Sequence, residues 1–120
     1  MKILKNLYKK GFVENRHWGS YEVLEAADNY VVKKIVILPH KSLSLQSHEH
    51  RDECWVVAKG KVLFVVDDNH FEATQNEMCV VKKQHKHRME NLTDEPAEVI
   101  ELQTGDILDE ADIVRYEIFQ

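Results

Sequence analysis

The chain has 120 residues, enough for one domain with a hydrophobic core and too few for two domains of ordinary size. Hydrophobic residues make up 43% of the chain, charged residues make up 31%, and the formal net charge is −5. This mild negative charge is the opposite of the basic surface that binds nucleic acid, and no stretch approaches the roughly 20 apolar residues of a membrane helix. We therefore expect a globular protein with neither nucleic acid nor membrane among its partners.

The two cysteines indicate the compartment. Cys54 and Cys79 are far apart in the sequence, and the basic N-terminal segment lacks the long apolar centre of a signal peptide. Two cysteines in an otherwise ordinary domain are typical of reduced thiols in the cytoplasm, although a disulfide between them is conceivable. We expect a cytoplasmic protein in which Cys54 is a packing residue.

Taken in chain order, short runs typical of β-strands recur along the whole sequence. The predicted strands cover residues 21–25, 30–38, 42–48, 53–60, 61–67, 70–74, 78–82, 87–91, 97–104 and 113–118. They are rich in Val, Ile, Tyr, Phe and Thr, and turn-type clusters separate several of them. No long segment has the 3.6-residue period of an apolar helix face, and residues 106–113 are compatible with a short helical turn only. Many short strands at close spacing predict an all-β sandwich or small barrel in a single domain.

The most informative stretch is SLQSHEHRDECWVVAKG, in which side chains able to bind metals precede an apolar run. Successive side chains of a strand alternate between its faces, so Gln46, His48 and His50 would share one face. Two-residue hairpin turns favour Gly or Asn, so we predict a wider loop over residues 49–52 with His48 opposite Glu53. In this hairpin Gln46, His48 and Glu53 converge, and His50 lies near the rim.

The chemistry of this group indicates a metal site. Imidazole and carboxylate together are typical ligands of a divalent transition metal, and an amide oxygen can complete the set. A further ligand would come from the segment KKQHKHRMEN, in which His85 and His87 are the candidates. The same spacing is also compatible with histidines that lie on the surface or form hydrogen bonds within a strand, without any metal.

The spacing of these residues resembles that of the cupin family. The first cupin motif has two ligands one residue apart, then three or four residues, a Glu, six residues and a Gly. The matching residues here are Gln46, His48, Glu53 and Gly60, with Gln in the place of the first His. The second motif ends in a His that is followed after three residues by an Asn, which His87 and Asn91 match. The resemblance implies a cupin double-stranded β-helix, a jelly-roll-like barrel, over residues 16–120.

More specifically, the chain is similar to the C-terminal domain of type II mannose-6-phosphate isomerases, which many bacteria fuse to a mannose-1-phosphate guanylyltransferase. The similar segments are residues 16–24, 42–62, 85–91 and 98–117. The chain departs from the family pattern where His17 replaces a Pro, Asn76 replaces a turn Gly, and residues 81–84 replace Ile-Pro-x-Gly. The family's tail ending in Tyr-Gly-Arg has no counterpart in this sequence. The nucleotidyltransferase domain has no counterpart here either, and for that reason we expect no guanylyltransferase activity.

The resemblance implies interconversion of mannose 6-phosphate and fructose 6-phosphate. In this reaction a proton moves between adjacent carbons, and a divalent metal ion, expected to be zinc, stabilises the negative oxygen that develops. The implied metal ligands are Gln46, His48, Glu53 and His87, with His50 either as a substitute ligand or as a partner that supports one of them. The implied substrate is therefore a small sugar phosphate.

Other roles follow from the same resemblance. The predicted catalytic residues are Glu53, His50 and Arg51, of which Glu53 and His50 are alternative bases. Arg51, in the predicted loop, and Arg88 would bind phosphate or sugar oxygens. Arg88 directly follows His87, however, and would face the opposite side of a regular strand. The aromatic residues that would line the sugar pocket, or pack in the core instead, are Trp18, Tyr21 and Trp55.

Two other functions stay open at this point. One is a non-catalytic cupin that binds a sugar or nucleotide sugar, and the other is a metal-dependent cupin oxygenase, which would favour iron and more histidine ligands. Gln46 in the first ligand position favours the isomerase. Residues 1–15 lie outside the resemblance and carry several apolar side chains, and we predict that this N-terminal arm packs across a homodimer interface.

Overall fold

The structure, a computed structural model, describes residues 4–116, and the chain forms thirteen β-strands over this range. The strands are β1 (Lys5–Asn6), β2 (Val13–Arg16), β3 (Gly19–Ala26), β4 (Tyr30–Ile37), β5 (Gln46–Ser47), β6 (Arg51–Lys59), β7 (Val62–Val66), β8 (Asn69–Ala73), β9 (Met78–Val81), β10 (His87–Glu90), β11 (Ala97–Gly105), β12 (Ile107–Leu108) and β13 (Val114–Arg115). The all-β prediction is confirmed. Residues 1–3 of the predicted arm, and the end of the predicted strand 113–118, lie outside the described residues.

Eleven of the strands form two antiparallel sheets that share one core, and β1 and β12 form a separate parallel pair. The larger sheet has the order β2-β3-β4-β11-β6-β9, and the smaller sheet has the order β13-β5-β10-β7-β8. Trp55 of the larger sheet packs against Phe64 of the smaller one, with ring centroids 5.0 Å apart. Each large apolar side chain buried in this way stabilises the fold by about 1.5–3 kcal/mol. Between residues 4 and 116, no helix is long and apolar enough to cross a membrane.

The inner face of the larger sheet changes character along its strands. Towards one end it is apolar, as at the fully buried Val57 and Val99. Towards the other end it carries the buried polar residues Lys33, Arg51, Glu53, Glu101 and Gln103. The strand register places Glu101 between Lys33 and Trp55. Because an unpaired buried polar group costs about 1–3 kcal/mol, such a group of charged residues has to be satisfied internally and marks a candidate site.

The predicted hairpin between residues 42–48 and 53–60 is wrong. Strand β5 pairs with β10 and β13 in the smaller sheet, whereas β6 pairs with β11 and β9 in the larger sheet. The chain therefore crosses from one sheet to the other over residues 48–50. Arg51 is the first residue of β6 rather than part of a turn.

Contacts that are distant in sequence hold this crossing. The Asp112 carboxylate accepts hydrogen bonds from the backbone N–H groups of Glu49 and His50, each at 3.0 Å. Gly105 packs so closely on the crossing that a Cβ there would lie 2.1 Å from the His50 carbonyl oxygen. Local turn chemistry does not contain this information, and for this reason the hairpin prediction failed.

Two of the positions where the resembled family has glycine adopt a left-handed backbone. Asn76 has φ of 75° and Gln84 has φ of 71°. Asn tolerates this region because its short polar side chain bonds locally, whereas Gln has no such compensation. The backbone N–H of Gln84 donates to the carbonyl oxygen of His48 at 2.8 Å, so this strained turn is joined to the crossing segment.

The N-terminal segment pairs within its own chain. Strand β1 lies parallel to β12, and β2 is antiparallel to β3 at the edge of the larger sheet. Tyr8, between these two strands, packs against the core. The prediction that residues 1–15 pack across a homodimer interface stays a prediction.

Candidate metal centre

Two histidines and a glutamate meet between the sheets. His48 follows β5, Glu53 lies on β6 and His87 begins β10. Their exposed fractions are 2%, 3% and 4%. One ligand atom of each residue lies within 4.8 Å of the other two. His48 Nε2 lies 3.2 Å from Glu53 Oε2, and His87 Nε2 lies 3.6 Å from Glu53 Oε1. Because both sheets contribute, the cluster exists only in the folded chain.

Backbone carbonyl groups determine which ring nitrogen of each histidine faces Glu53. His48 Nδ1 lies 2.6 Å from the carbonyl oxygen of Asp112, and His87 Nδ1 lies 3.0 Å from that of His85. A carbonyl oxygen only accepts hydrogen bonds, so each Nδ1 carries the proton and each Nε2 keeps a lone pair directed towards the cluster. Histidines that bind metals in proteins are oriented in the same way.

The electrostatics of the cluster suit a cation. Burial lowers the pKa of His48 to about 4, against the opposing effect of the Glu53 carboxylate. Burial alone would raise the pKa of Glu53, but the Arg51 guanidinium holds it well below its usual range. At neutral pH the His48 imidazole is therefore neutral and Glu53 is ionised, which are the protonation states that bind a metal.

The donor set also fits a divalent transition metal. Two imidazole nitrogens and a carboxylate oxygen are ordinary ligands of zinc and its neighbours. Gln46 lies directly across from His87 in the strand register and lines the same cavity. Its amide nitrogen donates to Ser44 Oγ at 3.1 Å, which leaves the amide oxygen as the group that can face an ion.

The guanidinium of Arg51 is held inside the protein, where it supports Glu53. Its Nε donates to Glu53 Oε2 at 2.9 Å, and its Nη1 donates to the Tyr8 hydroxyl at 3.2 Å and to the Asp109 carbonyl at 3.3 Å. Its Nη2 lies 3.2 Å from His48 Nε2. With its donors engaged in this way, Arg51 positions a carboxylate and does not present the free fork that was expected to bind phosphate.

A second buried carboxyl group, that of Glu101, lies beside Glu53. The Trp55 Nε1–H is shared between them, 3.0 Å from Glu53 Oε1 and 3.2 Å from Glu101 Oε1. Gln103 Nε2 donates to Glu101 Oε2 at 2.9 Å. Burial raises the pKa of Glu101 to about 8, and the charge of Glu53 adds to the rise. Near neutral pH one carboxyl is thus ionised and the other keeps a proton, a pairing typical of proton-transfer sites.

Lys33, Tyr8 and Glu110 complete the polar interior. Lys33 Nζ lies 3.2 Å from Glu110 Oε2, 3.3 Å from the Tyr8 hydroxyl, and 4.3 Å from the ring centroids of Tyr8 and Tyr21. The Tyr8 hydroxyl in turn donates to Glu110. The buried ammonium therefore has a carboxylate and two aromatic faces around it. Through Tyr8, which accepts a hydrogen bond from Arg51, the N-terminal segment is joined to the site.

Most of the charged groups described above line one cavity of about 310 Å³. The predicted site residues along its wall are Trp18, Tyr21, Gln46, Arg51, Glu53, Trp55, His87 and Arg88. The other lining residues are Arg16, His17, Lys33, Ile35, Leu43, Ser44, Met89, Glu101, Glu110, Ile113 and Arg115. The three aromatic residues also belong to the buried core, so they are at once packing residues and cavity wall. His48 belongs to the cluster without lining the cavity.

The structure does not bring His50 or His85 to the cluster. His50 is exposed and does not line the cavity. It directly precedes Arg51, whose side chain points inward at the start of β6, and neighbouring side chains point to opposite sides. The prediction of His50 as a ligand or base does not fit this geometry. His85 is also exposed, and its Nδ1 lies 2.5 Å from Asp67 Oδ2.

Sequence reasoning missed Glu101, Lys33, Tyr8 and Glu110. A signal existed for two of them. In YVVKKIVIL two lysines are adjacent, so strand alternation requires one of them to face inward, and in AEVIELQT an acidic residue, Glu101, occupies an inward position of a strand. Tyr8 and Glu110 lie in short or irregular segments, and only the tertiary structure brings Glu110 to the cavity and the Tyr8 hydroxyl to Arg51.

The sequence is similar to a known protein family and to several characterised bacterial proteins. Residues 5–118 match the family model described as Mannose-6-phosphate isomerase C-terminal. The chain is 37% identical over 122 residues to the alginate biosynthesis protein AlgA of Pseudomonas putida, which covers 96% of this chain and 25% of that protein. It is 34% identical over 113 residues to a mannose-1-phosphate guanylyltransferase of Salmonella muenchen, covering 94% and 24% respectively. The chain thus spans about a quarter of the length of these curated relatives.

The fold has relatives among solved structures. One is an uncharacterised conserved protein with a double-stranded β-helix domain from Klebsiella pneumoniae, with a TM-score of 0.70 and 16% identity, covering 81% of this chain and 83% of that one. At this identity the similarity shows the fold alone. The predicted cupin double-stranded β-helix is therefore confirmed.

Proposed function

We propose that this chain, which belongs to the mannose-6-phosphate isomerase C-terminal family, is a zinc-dependent isomerase that interconverts mannose 6-phosphate and fructose 6-phosphate. One observation carries the proposal: Glu53 and His87 of the buried His–Glu–His cluster line the same cavity as a second buried carboxyl, that of Glu101. A metal-binding group and a proton-transfer group are the two components that aldose–ketose isomerisation through an enediolate requires.

A bound zinc ion would polarise the substrate carbonyl and stabilise the negative charge that develops on its oxygen. The proposed ligands are Gln46, His48, Glu53 and His87. Arg51 and Trp55 bond to different oxygens of the Glu53 carboxylate, so they fix its orientation before an ion arrives. Such preorganisation keeps the cost of reorganising the site low.

We assign the proton transfer between C1 and C2 of the sugar to Glu101. Its carboxyl lines the cavity, and Trp55 and Gln103 bond to its two oxygens. A pKa of about 8 lies close to neutral pH, where a group serves as base in one direction and as acid in the other. Glu53, as a metal ligand, is not free for this role, and His50 lies outside the cavity.

The proposed compartment is the cytoplasm. Cys54 and Cys79 are both free thiols, and both are partly buried. Reduced thiols in an ordinary domain suit a reducing compartment. A sugar-phosphate substrate is compatible with this setting.

A coupled assay for fructose 6-phosphate tests the function. The protein is stripped of metal with a chelator and reloaded with zinc, and we expect turnover to disappear and return. Glu101→Gln removes the proton-transfer group and should lower kcat by about 10²–10⁴-fold while zinc binding is kept. Glu98→Gln is the matched control, because Glu98 lies on the same strand with its side chain towards the other face of the sheet.

The outcomes of this assay are separable. Turnover that requires zinc and is lost only in Glu101→Gln supports the whole proposal. Zinc-dependent turnover that survives in Glu101→Gln would reject the proton-transfer assignment alone. A protein that binds zinc yet never forms fructose 6-phosphate would reject the isomerase and leave a sugar-binding cupin.

A further inference from the structure

We propose that Arg115 and Arg16, on opposite walls of the cavity mouth, bind the phosphate group of the substrate. The inference rests on the proposed function and deepens it, because it identifies the residues that recognise the phosphate. The sequence assigned this role to Arg51 and Arg88, and Arg51 is occupied with Glu53, Tyr8 and Asp109.

Strand register fixes the position of Arg115 relative to the metal cluster. Arg115 on β13 is opposite Gln46 on β5, and Gln46 is opposite His87 on β10. Residues directly opposite in adjacent strands point to the same face, and the three form a row across the smaller sheet. Two strand spacings separate Arg115 from His87, roughly 10 Å. A hexose 6-phosphate with its reacting carbons at the cluster would extend its phosphate along this row.

Arg16 reaches the same mouth from the larger sheet. It is the last residue of β2, opposite Gly19 of β3, and lines the cavity together with Arg115. Its Nη1 lies 3.4 Å from Glu14 Oε1, in a pair whose side chains are 44% and 34% exposed. Such surface pairs contribute little, so the pair with Glu14 gives way easily to a phosphate dianion.

The charge distribution in the cavity favours an anion at the mouth rather than at the bottom. The deep cations are already matched, Arg51 by Glu53 and Lys33 by Glu110. The exposed Arg115 adds a positive charge at the rim of a chain whose net charge is −5. Planar guanidinium forks match phosphate oxygens in pairs, and fixed cations from two walls would select a phosphorylated sugar over a neutral one.

Titration calorimetry of the full chain loaded with zinc tests this site, with mannose 6-phosphate and unphosphorylated mannose as probes. Arg115→Gln and Arg16→Gln should each weaken mannose 6-phosphate binding by about tenfold to a hundredfold, the usual loss for a charge-assisted hydrogen bond. Binding of mannose should be unchanged by either substitution. Lys59→Gln is the control, since it removes one positive charge from the exposed far end of β6.

The result that supports the inference is a loss of phosphosugar affinity in the two arginine variants and not in Lys59→Gln, with unaltered thermal unfolding and zinc content. Equal affinity of the arginine variants and the unsubstituted chain would overturn it, as would failure of the unsubstituted chain to bind mannose 6-phosphate. Binding without turnover would reject the isomerase and keep the phosphate site. Turnover with an unchanged KM in both variants would reject the phosphate site and keep the isomerase.

Discussion

Glu53 and Glu101 lie on neighbouring strands and share one Trp55 N–H donor, yet they hold different charges at the same pH. The difference comes from their neighbours. Glu53 faces the Arg51 guanidinium, which favours its charged form. Glu101 is buried next to the charge that Glu53 already carries, so its own charged form is disfavoured. Side chains of one type are thus suited to the two proposed roles, ligand and proton carrier, because of where the sheet places them.

This difference predicts how stability depends on pH. The pKa of Glu101 rises from 4.5 to about 8 on folding, so the folded state holds its proton more tightly, and this stabilisation is lost as the pH rises towards 8. The pKa of His48 is lowered from 6.5 to about 4, and this lowers stability only below about pH 6.5. Above that pH we expect the metal-free protein to lose about 2 kcal/mol of unfolding free energy by pH 8.5.

Urea unfolding in the presence of a chelator, at pH values of about 6.5 and 8.5, measures this loss. Glu101→Gln has no carboxyl to titrate and should show little change between the two pH values. If the variant loses as much stability as the unsubstituted chain, the alkaline loss belongs to another group and the raised pKa of Glu101 is wrong.

At the scale of single elements, the sequence predicted which residues of β6 face inward but not which strands pair with it. Glu53, Trp55 and Val57 share the inner face, as predicted. The predicted pairing failed because the segment before β6 joins the other sheet. Gln46, His48 and Glu53 still come together, but across the space between two sheets rather than across a hairpin. Convergence followed from face alternation, which is local, whereas pairing depended on Asp112 and Gly105, which are distant in sequence.

The turn before β10 contains a strained backbone conformation that a substitution can relieve. Gln84 has φ of 71°, and a non-glycine residue in this region costs about 1 kcal/mol. Gln84→Gly should relieve this strain, and part of the gain is offset by the greater freedom of glycine in the unfolded chain. We expect the free energy of unfolding to rise by up to about 1 kcal/mol in a denaturant titration.

Gln75→Gly serves as the matched control for this turn. Gln75 is also an exposed turn residue, but its backbone is not left-handed, so glycine there adds freedom to the unfolded chain and relieves nothing. The control should therefore lower stability. A decrease of the same size in Gln84→Gly would show that residue 84 is not strained.

For the whole molecule, the sequence was sufficient for the fold class and for part of the site. Strand-length runs predicted an all-β domain, and the motif around His48, Glu53 and His87 indicated the cupin barrel. The interior polar residues beyond that motif could not be predicted in the same way. Glu101 reaches the site through sheet register, and Tyr8 through a segment outside the motifs. Long-range packing, rather than local propensity, determines which charged residue of a strand becomes part of a site.

The proposed function depends on one metal ion held by the imidazoles of His48 and His87 and the carboxylate of Glu53. Anomalous X-ray scattering at the zinc absorption edge, from crystals of the zinc-loaded protein, would locate that ion. We expect one strong peak within bonding distance of both Nε2 atoms and a Glu53 oxygen, about 2.0–2.2 Å. A crystal saturated with zinc that shows no peak between these three residues, or a peak only at the exposed His85–Asp67 pair, would rule out this metal site.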